Sequence, residues 1–326
     1  MRKLLCHASS RFFSKPSTIL RVKRWEAEKM AKILVVGGTG LTGAHAALHL
    51  RDLGHEITLM SRAAPSLECL KHFDHIAASY VNNDVPDAHL GQFEQMVFAA
   101  GADIRQLPQG EDEEAFFTRA NTEGIPAFFA SAKNAGIRRA VYIGSYYPQV
   151  VPAAIDTSIY VRSRHLADEG VRGLNSDSFN VCSLNAPFIL GYVEGMDLPH
   201  LSVLVQYALG HLDGVPVLAP AGGVNHISSK SMSEAIVGAL ERGEGGHAYL
   251  VGDENLSWKT YLELYFEAAG NPTNLPVSTD EHPLFPDVML YAGRNAVISF
   301  DSNDAELSYS RNNIRAAAHQ IVAAYS

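Results

Sequence analysis

The stretch KILVVGGTGLTG, residues 32–43, decides how this chain folds. Residues 33–37 open as a β-branched apolar run, the composition of a strand buried on both faces. Gly37, Gly40 and Gly43 then recur at every third position. The segment that follows, AHAALHLRDLGH at 44–55, has helical apolar spacing. A buried strand entering a glycine turn and then a helix is the arrangement that holds a pyrophosphate. The first glycine permits the turn, the second lets backbone N–H groups approach the phosphates, and the third lets helix and strand pack closely. Three glycines alone are a weak signal; the readable strand and helix on either side supply the context. The reading is a dinucleotide site, with Gly37, Thr39, Gly40, Leu41 and Gly43 as its cradle.

Outward from the turn, the bulk numbers set bounds. A chain of 326 residues, 47% hydrophobic and 19% charged, has the composition of an ordinary globular protein with room for one large domain and an appended lobe. The net charge of −9 is uneven. Residues 1–30 hold eight Lys/Arg and two Asp/Glu, so they carry +6 and the remainder −15. A body that acidic argues against nucleic acid, which needs a clustered positive face. Cys6, Cys69 and Cys182 are too few and too scattered for a disulfide framework or a zinc site, which points to a reducing compartment. No metal site is expected. His45 and His49 have helical ligand spacing, but no Glu follows His45 and no third ligand is evident.

The first thirty residues are basic, Ser-containing and free of acids until Glu26, the composition of a mitochondrial transit peptide. Alternatively Met30, directly before the first strand, marks where the folded protein begins. The expectation is a dispensable, largely disordered leader and a cytoplasmic protein, or a mitochondrial one if the leader directs import. No apolar run is long enough to span a bilayer.

After the turn, apolar runs at 57–60, 75–80, 95–100, 139–145 and 178–184 alternate with helical segments, the two longest at 111–134 and 158–174. That alternation predicts an α/β fold, a doubly wound parallel sheet built from βαβ units. Past Pro187 the texture becomes loop-rich until a helix at 231–241 and a strand at 248–251 return to the sheet. The predicted domains are residues 31–187 with about 228–252, and a small C-terminal substrate lobe from 188–227 with 253–326.

Five local matches in order, GGTGLTG (37–43), NDVPD (83–87), NTEGIPAFFASAKNAGIRRAVYIGS (121–145), YVRSR (160–164) and NAPFILG (185–191), resemble the extended short-chain dehydrogenase/reductase family, also called the NAD-dependent epimerase/dehydratase family. The resemblance covers about residues 32–260 and implies a Rossmann sheet binding NAD(P). It puts Ser145 at the family's catalytic Ser/Thr, Tyr160 at the tyrosine of Tyr-x-x-x-Lys, and Asn121 at an asparagine that helps hold an active-site water. It also implies that Asp84 and Val85 contact adenine and that Ala99 and Ala100 flank the nicotinamide side, with Pro187 and Ile189 near the cofactor. Tyr146 and Tyr147 are candidates for the substrate pocket. Tyr160 also has a plain reading as an aromatic at a helix start, and Asp84 as a turn former.

The roles make sense chemically. Carbonyl reduction needs a hydride donor at carbon and a proton donor at oxygen. Tyrosine ordinarily titrates near 10, so it serves near neutrality only beside a cation. A serine hydroxyl can polarise the carbonyl. One position departs from the pattern: Arg164 stands where the family has lysine. At i+4 from Tyr160 it shares that residue's helix face, but its charge is spread over a planar fork and it does not relay protons.

For the cofactor, Ser61 and Arg62 end the second strand where an NAD-preferring site has an acid. A hydroxyl and a guanidinium suit a 2′-phosphate, so NADP is expected over NAD. The function expected is an NADP-dependent oxidoreductase acting on a small, fairly apolar substrate. The alternatives are a sugar-nucleotide epimerase or dehydratase with bound NAD, and a non-catalytic NADP-binding sensor or structural subunit. Residues 188–227 contain no Lys or Arg to hold a diphosphate, which weakens the first alternative. The partners expected are a small-molecule substrate and a second copy of the chain in a homodimer, with no nucleic acid and no membrane.

Overall fold

In a computed structural model, which describes residues 30–326, Lys32–Val36 (β1) is buried at every position but its first. Its β-branched and Leu side chains fill the sheet from both faces. Gly37 then takes φ +78°, a value that favours glycine, and its N–H donates to the Met60 carbonyl at 2.8 Å. The chain enters the helix Leu41–Asp52 (α1) and returns as Glu56–Ser61 (β2) and Asp74–Ala77 (β3). Gln95–Phe98 (β4), Arg139–Ser145 (β5), Asn180–Ala186 (β6) and, later, Ala248–Leu250 (β10) complete a seven-stranded sheet. Its order is β3-β2-β1-β4-β5-β6-β10, and every pairing is parallel. The chain reverses direction across the sheet between β1 and β4, the switch point at which such sheets bind ligands beyond their carboxyl ends.

The periodicity predicts one helix over 111–134. The structure instead breaks it into Glu113–Phe117, a π-helical turn over Thr118–Glu123, and the helix Gly124–Ala135 (α2). Pro126 has no N–H to give to the carbonyl four residues back, and its ring crowds that carbonyl, so a widened turn just before it relieves both problems. The third strand also stops short of Tyr80. Ser79 turns the chain by donating its N–H to the Asp84 carboxylate at 3.0 Å. The helix Ile159–Arg172 (α3) is capped by Ser158, whose Oγ accepts from the Val161 N–H at 3.3 Å.

Beyond β6 the chain leaves the main sheet. Phe188–Leu190 (β7), Gly223–Ser228 (β9), Glu254–Ser257 (β11) and Val297–Ile298 (β13) form a second, mixed sheet around β9, and Ala219–Pro220 (β8) pairs with Val277–Ser278 (β12). The helices Pro199–Ala208 (α4), Trp258–Ala268 (α6) and Ile314–Tyr325 (α7) pack on one another beside these strands, while Ser229–Arg242 (α5) packs chiefly against α1 on the main sheet. A single apolar cluster runs from Ile33 and Val35 through Leu184 to Trp258 and Ile321, and residues 31–326 make one compact unit. The leader and Cys6 lie outside the described residues. Among those described, Cys69 and Cys182 are free, no helix is long and apolar enough to cross a membrane, and no three acidic, His or Cys side chains cluster as metal ligands. His45 instead shares a 2.7 Å hydrogen bond with Ser233.

His226 on β9 is 1% exposed, stacked on Tyr261 at 4.4 Å and edge-on to Trp258 at 5.6 Å, with no partner for Nε2 among the described residues. Burial pushes its pKa down to about 3, and that of His45 to about 4, from the ordinary 6.5. Below about 6.5 the unfolded chain takes up protons that the folded chain refuses. The stability these residues contribute is therefore complete above 6.5 and is lost as the pH falls toward the folded values. The melting temperature should fall between pH 7 and 5, with a shallower fall in His226→Phe. Equal slopes for the two proteins would contradict this account.

Candidate active site

The carboxyl ends of β1, β4, β5 and β6 open into a cleft of about 460 Å³. Gly40, Leu41 and Thr42 form one wall, and Ala99, Gly101, Ser145, Tyr160 and Arg164 line it further in, with Pro187 and Ile189 beyond. Ser145 ends β5 and is buried, and its Oγ accepts from the Tyr147 N–H at 3.4 Å. Tyr160 lies in the first turn of α3, two residues after the Ser158 cap. Its ring is held edge-on by Phe117 at 5.5 Å and stacked by Tyr291 at 4.8 Å. The aromatic walls continue with Tyr146 and Tyr147, whose rings lie 4.4 Å apart. Burial pushes the Tyr147 phenol up to about 12 and raises those of Tyr146 and Tyr291, so these three stay protonated near neutrality.

Arg164, one turn after Tyr160, is 7% exposed. Its Nη2 donates to the Ile143 carbonyl at 2.8 Å, its Cζ lies 5.5 Å from the Tyr142 ring centre, and its Nε has no partner among the described residues. Burial opposes the charge, but the phenols of Tyr142, Tyr160 and Tyr80, together with Asp103, outweigh it and hold the guanidinium above its ordinary pKa. Arg164 is in no ion pair among the described residues, and the cleft is left with a fixed positive charge in its floor. Nearby, Asp103 and Arg105 bond through both carboxylate oxygens, at 2.6 to 3.2 Å. His200, from α4, is pushed down to about 4 by burial, and the Arg105 charge adds to the effect.

The residues present fit a dinucleotide. A Cβ built on Gly40 would have a single neighbour within 4 Å, the Gly37 carbonyl oxygen at 3.5 Å, so the space above the turn is open. The N-terminus of α1 has no side-chain cap and no acid in its first turn, leaving N–H groups and the positive end of the helix dipole for an anion. Gly37 and Gly43 pack against Ala99 and against the turn itself. Ala100 meets Gly37 at the switch point, while Thr39 lies in the turn without lining the cleft.

A second cleft of about 500 Å³ lies beside the ends of β2 and β3, lined by Arg62, Ser79, Asn82, Asp84 and Arg119 among others. The structure separates residues that the resemblance groups together. Asp84 reaches this cleft, but Val85 is buried in the apolar cluster with Leu90 and Phe128. Ser61 does not line the cleft. Its hydroxyl donates to the Ala63 carbonyl at 2.8 Å and meets His75 Nε2 at 2.9 Å. Asn121 is fully buried in the π-turn, where its Nδ2 donates to the Ala102 carbonyl and to Ser163 and its Oδ1 accepts from the Ala102 N–H. Both of its donor hydrogens are used within the protein, and it clamps the loop after β4 to α3. Tyr291, His200, Gly101 and Arg119 were not picked out from the sequence; each comes from a segment with no motif of its own.

Residues 33–252 match the NAD dependent epimerase/dehydratase family. A "Putative dihydroflavonol 4-reductase" from Synechocystis sp. is 25% identical over 290 residues, 82% of this chain and 79% of that protein. The crystal structure of gox2253 superposes with a TM-score of 0.73 at 20% identity, covering 90% of this chain and 97% of its own. The Bordetella bronchiseptica enzyme WbmH, solved with NAD+, gives 0.69 at 16% identity, covering 91% and 98%. At those identities the two structures share a fold with this chain, and nothing finer follows from them. The sequence match runs from the first buried residue of β1 to the loop behind the last strand of the main sheet, and by it the chain belongs to the NAD dependent epimerase/dehydratase family.

Proposed function

We propose that the chain is an NADP-dependent oxidoreductase interconverting a carbonyl and a secondary alcohol on a small, fairly apolar substrate. The observation that carries this reading is that Ser145, Tyr160 and Arg164 line one cleft with the glycine turn. Because Ser145 Oγ accepts from the Tyr147 N–H, its own proton is free to donate to a substrate carbonyl. Tyr160 gives or takes the proton at that oxygen, and the Arg164 charge offsets the negative charge that then appears on the phenol. A bound nicotinamide would supply or accept the hydride. Leu198, Phe188, Met289 and the tyrosines give the rest of the wall an apolar side, facing Asp103, Arg105, Gln106 and His200. The Arg105 guanidinium, in the loop after β4, is already committed to Asp103, which leaves the cleft poor in groups for a sugar diphosphate. Mixing the protein with NADPH and a panel of ketones and aldehydes tests the reading. Tight NADPH binding with no oxidation across the panel would instead favour a non-catalytic sensor.

The NADP preference rests on Arg62 rather than Ser61, since the Ser61 hydroxyl is occupied. Arg62 has no ion pair among the described residues and lines the second cleft, where Arg119 is held by Glu111 at 2.7 Å. Arg62→Ser should weaken NADPH by about 10-fold, the scale of one charge-assisted hydrogen bond, and leave NADH nearly unchanged. Equal losses for both cofactors, read by fluorescence titration, would place the 2′-phosphate elsewhere or favour NAD.

A further inference from the structure

We infer that Gly101 is a positioning residue for Arg164: the missing side chain at 101 is what lets a guanidinium seat in the floor of the cleft. A Cβ built on Gly101 would lie 2.0 Å from Arg164 Nη1, 2.9 Å from Cζ and 3.3 Å from Nη2, and no other atom is as near. The backbone gives no reason for glycine here. Gly101 is not among the residues with positive φ, so alanine fits its conformation. Among the described residues the group in the way is the guanidinium.

That guanidinium cannot move aside at no cost. Its Nη2 is tied to the Ile143 carbonyl, the Tyr142 ring lies to one side, and the side chain is buried almost throughout. The open direction is the cleft, which Arg164 lines together with Tyr160. A methyl group at 101 would therefore break the Ile143 bond and push the charge toward the space needed by cofactor and substrate. Lysine at 164 ends in one ammonium and has no fork to reach the 101 position. Arginine at 164 and glycine at 101 thus form a coupled pair, and the departure from the family's lysine is accommodated from the loop after β4.

The catalytic arm of the test rests on the proposed oxidoreductase function; the stability arm does not. Gly101→Ala, Arg164→Lys and the double variant form a cycle, read first by melting temperature without cofactor. Gly101→Ala should lower the melting point by about 1–2 °C when Arg164 is retained, the shift expected for roughly 1 kcal/mol in a folded unit of this size, and leave it unchanged when combined with Arg164→Lys. In the second arm, Gly101→Ala should cost up to about 10²-fold in kcat/KM, the scale of an ångström-level displacement, and only a few-fold once residue 164 is lysine. Additive melting shifts, a Gly101→Ala protein that melts like wild type, or failure of both the single and the double Gly101→Ala proteins to fold would each overturn the inference. Coupled melting shifts in a protein that reduces no carbonyl would leave the pair standing and reject the oxidoreductase reading.

Discussion

Tyr160→Phe is expected to lower kcat/KM for carbonyl reduction by about 10²–10⁴-fold, the usual scale of general acid–base help, with NADPH affinity within a few-fold of wild type. The substitution removes one oxygen and keeps the ring. Both ring contacts, edge-on to Phe117 and stacked on Tyr291, survive it, so the loss is chemical rather than structural. The neighbouring tyrosines make poor substitutes, since burial holds the phenols of Tyr146, Tyr147 and Tyr291 protonated well above neutrality. Tyr147→Phe therefore serves as the comparison, with a far smaller effect expected. Ser145→Ala should cost about 10²-fold, as removal of one preorganised donor does elsewhere. Full turnover in Tyr160→Phe would end the assignment of this phenol as acid and base, whatever the cofactor proved to be.

What could be read from the sequence tracks how local the cause is. The strand, glycine turn and helix at 32–52 are written in consecutive residues, and the parallel sheet follows from the alternation that continues after them. Tyr160 and Arg164 are legible because four residues along a helix bring two side chains to one face. At Asn121 the position in the chain does not disclose which groups the side chain meets. Its place in the chain fits the family, but the Ala102 carbonyl and the Ser163 hydroxyl take both of its donor hydrogens. Tyr291 had no signal to find. It lies in a segment without periodicity, and only the tertiary fold lays it on the Tyr160 ring. Gly101 is one of 26 glycines, and the reason for it is a side chain on another element.

The glycine turn offers a test in which stability and cofactor binding come apart. A Cβ on Gly43 would lie 2.3 Å from the Gly37 carbonyl oxygen, 2.8 Å from its carbon and 3.0 Å from Gly38 Cα. All three are backbone atoms of the turn, with no side chain to rotate away, so Gly43→Ala must pry α1 off β1. Overpacking of that kind costs about 1–3 kcal/mol, and the deformed turn should bind NADPH poorly as well. At Gly40 the same methyl meets nothing closer than 3.5 Å and points into open space. Gly40→Ala should therefore melt like wild type yet lose NADPH affinity by about 10-fold or more, because the methyl occupies the room where backbone N–H groups would approach the phosphates. A Gly40→Ala protein with wild-type NADPH affinity would mean that the pyrophosphate lies elsewhere, and the cradle assigned to residues 37–43 would have to be abandoned even though the sheet beneath it stands.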